Sequence, residues 1–129
     1  MKQKLQFEPA WDKTISKRDR REIEQTFDSL ISLPKSGIHF SLLRQAKNYQ
    51  NSLLLTVLIH NRNSEPFVFD NPVLQYRMDD LIFARHAFVF SYTIPKKTSL
   101  PWTFIFPAGT YTEQATRLQG KLEIAARLA

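Results

Sequence analysis

Between Gly37 and Phe106 the apolar residues recur at every second position, segment after segment. That period constrains the chain most, because only an extended strand puts alternate side chains on one face. Ile38, Phe40 and Leu42 alternate with His39, Ser41 and Leu43. Residues 53–61 are apolar on nearly both faces, the mark of a central strand covered on two sides. Pro72 opens a strand over 73–78, with Leu74, Tyr76 and Met78 on one face. Met78-Asp79-Asp80-Leu81 then reads as a tight hairpin turn into a strand over 81–90. Just after Pro101, the residues Trp102, Phe104 and Phe106 share a face of a last strand. Turn residues at 48–51, 61–66 and 95–99 separate these runs. Short strands at this spacing pair antiparallel into a sandwich or small barrel; nothing alternates strand with helix as a parallel sheet requires.

The flanks read differently. Ser16 is placed to cap a helix beginning at Lys17, and Asp19 three residues on approximates a capping box. Ile23, Phe27, Leu30 and Ile31 then form one stripe at helical spacing, and Leu33-Pro34 ends the helix. At the other end, Thr112 is a candidate cap and Ala115, Leu118, Leu122 and Ala125 recur at helical spacing. Residues 110–129 are therefore expected to be a helical extension of a single β domain over residues 1–109. Gly120 costs that helix about 1 kcal/mol relative to Ala, so it needs a surface to lie on. Leu118 and Leu122 are its candidate protein contacts.

A chain of 129 residues suits one domain and buries roughly two thirds of its unfolded surface. Ten Phe against three Gly point to an aromatic core with little room for a phosphate-cradling loop. The absence of cysteine excludes disulfides, thiolate zinc sites and a cysteine nucleophile. No apolar run has the length of a signal segment or a membrane span, so a soluble, cytoplasmic protein is expected. The net charge of +6 gathers at Lys13, Lys17, Arg18, Arg20 and Arg21, diluted by Asp12 and Asp19. A solvated helix face is the default reading of such a run, ahead of a nucleic-acid or membrane patch.

Catalytic motifs are missing. His39, His60 and His86 lie in separate strands with no metal-ligand spacing, and Asp79-Asp80 sits where a hairpin turn wants aspartate. No nucleophile elbow, P-loop or dinucleotide fingerprint occurs, so no catalytic, metal or cofactor-binding residue is nominated. The alternative to a protein-binding module is a small β-barrel that binds single-stranded nucleic acid on aromatic platforms. Against it, the strand faces lack interleaved basic residues.

One further pattern runs through most of the chain. It comprises Phe7-x-Pro9-x-Trp11, Leu33-Pro34 with Gly37-Ile38, and Val57-Leu-Ile-His-Asn61 followed by Pro66 and Val68-Phe69. Pro72-x-Leu74, Ala84-Arg85-x-x-Phe88 and Ile94-Pro95 follow, closing on Ser99-x-Pro101-Trp102-x-Phe104-x-Phe106. Over roughly residues 5–107 this order resembles the SLAP domain, found in accessory Sec system S-layer assembly proteins of Gram-positive, Bacillus-type bacteria. His60 stands where that family more often has arginine, and larger relatives carry more than one such domain. The resemblance implies an immunoglobulin-like β-sandwich whose motif residues Trp11, Phe69, Phe88, Pro101, Trp102, Phe104 and Phe106 are structural. It further implies a non-catalytic role with a protein partner, either a SecA-type motor or a secreted surface-layer protein.

Overall fold

The computed structural model of the chain describes residues 2–125. A two-residue strand β1 (Lys4–Leu5) precedes a short helix α1 (Pro9–Thr14), whose first turn accommodates Pro9 because that position needs no N–H. Helix α2 (Lys17–Asp28) starts where its cap predicts, with the Ser16 hydroxyl accepting the Asp19 amide at 3.1 Å. Ile23 is its buried anchor. Ile31, expected on the same stripe, is 88% exposed. The chain tightens into a 3-10 turn over Ser29–Ser32, and three residues per turn rotate Ile31 off the apolar face.

The period-two segments become strands β2 (Ile38–Lys47), β3 (Leu53–Asn61), β4 (Phe67–Asp70), β5 (Val73–Met78), β6 (Leu81–Ala87), β7 (Ser91–Ile94) and β8 (Thr98–Phe106). In one sheet of order β1-β8-β3-β2, β3 is central and antiparallel to both long neighbours. Its residues Leu53, Leu55 and Val57 pair with Phe106, Phe104 and Trp102, so the two strands present one continuous apolar face. Strand β8 begins at Thr98, four residues before the position expected, with Pro101 inside it. Ser99 turns its carbonyl outward to the Gln6 amide, and Pro101, two residues on, directs its nitrogen to the same open side. A proline is tolerated there because no ladder partner asks for an N–H.

The second layer is a long bent hairpin. β4 pairs with β7 and β5 with β6, and the ladder continues across the bend through Asn71 N–H to Phe90 O and Phe88 N–H to Pro72 O. The strand expected over 81–90 thus stops at Ala87 as β6, since Phe88 to Phe90 cross the bend, and β7 beyond them is a further strand. Asp79 makes the tip in the left-handed region at φ 51°, as the aspartate pair predicts. Phe69, Leu74, Tyr76, Phe83 and Ile94 of this layer share one core with Leu55, Val57, Phe104 and Phe106 of the sheet. Phe88 sits 5.4 Å from Phe104 and 5.1 Å from Phe106, edge to face. The protein is mainly β, a sandwich-like pair of layers with its N-terminal helices outside.

The C-terminal helix is not what forms. Residues 110–125 hold a single 3-10 turn, Glu113–Thr116, followed by strand β9 (Lys121–Ile124); residues 126–129 of the expected helix lie outside the described residues. β9 pairs antiparallel with β5, giving the order β6-β5-β9. Helical spacing and the alternation Lys121-Leu122-Glu123-Ile124 compete here, and the open edge of β5 decides for the strand.

Candidate interaction surfaces

The basic run of α2 is partly neutralised. Arg20 pairs with Asp12 at 2.6 Å and lies 4.5 Å over the Phe7 ring, which fastens α2 to the segment before α1. Lys13, Lys17, Arg18 and Arg21 are exposed and make no ion pair among the described residues. Their neighbours Asp19 and Glu22 instead reach Arg44 on β2, at 3.0 and 3.8 Å. Trp11 is half-buried on the wall of a groove of about 210 Å³ between the helices and the outer sheet face, with Ile15, Ile23, Leu43 and Thr103.

The two leucines nominated as helix contacts are separated. Leu118 is 42% exposed, whereas Leu122 is 4% exposed and lies in the core on β9. Leu122 is therefore a packing residue and offers no contact surface, because strand geometry turns its side chain inward. Of the motif residues, Phe69, Pro101, Phe104 and Phe106 are buried, and Trp102 and Phe88 pack half-buried against the same cluster.

The two sheets meet at a seam where their end strands lie close together without ladder bonds. β2 is the last strand of its sheet and β9 the last of the other. Gly37 O accepts the Arg62 amide, so in the alternation of an antiparallel ladder Ile38, Phe40 and Leu42 turn their own amides away from β3. Ala125 N–H likewise bonds Val73 O, so Leu122 and Ile124 turn theirs away from β5. Between the two edges runs a groove of about 330 Å³ whose apolar walls include Ile38, Phe40 and Ile124. Farther along β2 the edge is closed: Gln45 Nε2 donates to Ala115 O and Leu118 O, at 3.3 and 3.4 Å.

A buried polar chain crosses the outer face of the sheet. His60 is fully buried with Nε2 at 2.9 Å from Ser41 Oγ and Nδ1 at 2.6 Å from Ser99 Oγ. Gln3 Nε2 donates to Ser99 Oγ and to Asn61 O, which pins the N-terminal segment to β3 and β8. Burial first, then the positive charges of Arg62 and His39, lower the His60 pKa to about 4, so the ring is neutral. The serine–imidazole pair has the spacing of a nucleophile and base, but Ser99 is as inaccessible as His60. What the geometry accomplishes is cross-linking three strands and the N-terminal segment. His39 bonds Ser36 O and His86 packs its ring edge on Phe88, and no three metal-ligating side chains converge among the described residues. Ser41 and Gln3 carried no local signal, and Ser99 entered only as part of the closing motif, until the sheet brings them together.

Among the described residues no helix is long and apolar enough to cross a membrane. The sequence model of the SLAP domain matches residues 5–125, running past the closing aromatic motif to the end of β9. No curated protein and no solved structure matches the chain.

Proposed function

We propose, from the premise that the chain belongs to the SLAP domain family, that it is a non-catalytic module that holds an extended polypeptide. The observation that carries this reading is the open edge at Ile38–Leu42, where unpaired backbone groups adjoin half-buried apolar side chains. A client strand that pairs with β2 there, moving β9 aside, forms main-chain hydrogen bonds and sets alternate apolar residues against Phe40. The family points to the setting: accessory Sec-dependent export or surface-layer assembly, with a SecA-type motor or a secreted surface protein as partner.

Affinity capture from a Bacillus-type host tests it, using the native chain beside an Ile38→Lys variant. Lysine at a free edge discourages strand addition without disturbing the β2–β3 ladder. The native chain is expected to recover a Sec component or a surface-layer protein, and the variant, shown to be folded by circular dichroism, to lose it. Recovery of nucleic acid alone, or capture indifferent to the edge variant, overturns the proposal.

A further inference from the structure

At one end of the sandwich, four segments that are distant in sequence meet. Lys4 N–H bonds Lys97 O at 2.8 Å, and Lys97 Nζ donates to Arg62 O at 2.6 Å. Arg62 Nε in turn donates to Pro34 O at 3.2 Å, beside Lys35. Gly37 N–H bonds Asn63 Oδ1 and Lys97 N–H bonds Asn63 O, which closes the junction. Lys97 holds the left-handed region at φ 47°, so the turn between β7 and β8 is fixed with its side chain already tied down.

The meeting gathers cations. Lys2, Lys4, Lys35 and Lys96 are exposed, Arg62 and Lys97 half-buried, and Glu65 is the one carboxylate in these segments. None of the six cations makes an ion pair among the described residues. This charge is distinct from the α2 run, where Asp12, Asp19 and Glu22 lie close by. Like charges held together this way raise the local potential, which favours an anionic partner.

We infer that this end is a docking surface for an acidic polypeptide segment. The segments contain no aromatic side chain on which a base could stack, which disfavours single-stranded nucleic acid. They contribute no exposed large apolar side chain to enter a bilayer, which disfavours a lipid surface. Lysine ammonium groups spread over short turns suit carboxylates presented along a peptide. The surface stands independently of the β2 edge, although Gly37 and Arg62 place the two side by side.

The test titrates fluorescent decaglutamate into the full chain at about 50 mM salt, where surface charges are weakly screened. Two double variants are compared, Lys4→Glu/Lys96→Glu at the basic end and Lys17→Glu/Arg18→Glu on α2, each checked by circular dichroism and thermal melting. Equal changes in net charge separate a site from a general field, so the first pair is expected to weaken binding about tenfold and the second less than about threefold. Lys4→Gln/Lys96→Gln, set against Lys17→Gln/Arg18→Gln, replaces both pairs if the reversal unfolds the chain. Equal weakening by both pairs overturns the inference. So does tighter binding of a ten-residue oligothymidylate or of phosphatidylserine vesicles than of decaglutamate.

Discussion

His60 lies under the N-terminal segment in the face of β3, bonded at both ring nitrogens to serine hydroxyls and fully buried. Its pKa drops from 6.5 to about 4 on folding, so between those values the unfolded chain holds a proton that the folded chain refuses. Stability from this residue is complete above pH 6.5 and declines as the pH falls toward 4, by on the order of 3 kcal/mol. Urea midpoints of the native chain and a His60→Asn variant, measured from pH 7.5 to 4.5, should converge at the acid end; parallel curves refute the assignment. Phe104 tests the other kind of burial. It is 2% exposed with Phe40, Phe88 and Phe90 around its ring, so Phe104→Asp places an unpaired carboxylate among aromatic faces. That variant is expected not to fold, and a thermal melt matching the native chain contradicts the placement. The importance of Phe104 is legible in the alternation Trp102, Phe104, Phe106. That of His60 is not, because its serine partners arrive from two other strands.

At the scale of elements, local signals held where a segment's neighbours along the chain decide its shape. Ser16 caps α2, Asp79 turns the β5–β6 hairpin, and the doubly apolar run over Leu53–Asn61 sits at the centre of its sheet. The C-terminal segment shows the limit. Ala115, Leu122 and Ala125 are all buried, but they come from a 3-10 turn, from β9 and from the residue after it, not from one helix face. Gly120 marks the change. A Cβ there meets Arg77 O at 2.7 Å, and the Gly120 amide donates to Tyr76 Oη, whose own hydroxyl donates to Gln45. The glycine read as a weak point in a helix is thus the close approach that lets β9 reach β5. Gly120→Ala is expected to destabilise the protein by about 1–3 kcal/mol, as crowding against backbone does. An unchanged melting temperature, with the β9 amides as protected from hydrogen exchange as before, argues against that close approach.

For the whole molecule, two layers enclose an aromatic core, meet without ladder bonds between β2 and β9, and gather cations at one end. Membership of the SLAP domain family accounts for the aromatic and proline pattern as a fold signature, since those residues fill the core or sit at a strand's open side. The surfaces that remain available are backbone edges and charge, which a family pattern built on core residues does not encode. The sequence by itself determined the strands β2, β3, β5, β6 and β8, the α2 cap and the hairpin tip, because period and turn chemistry act between residues a few positions apart. Only the tertiary structure decided that residues 121–124 are a strand, that Leu122 faces inward, and that His60 is neutral. It alone brought Lys4, Lys35, Arg62 and Lys97 together. Each of those depends on what lies across the fold, where burial, ladder hydrogen bonds and the summed field of distant charges override the preferences of the local chain.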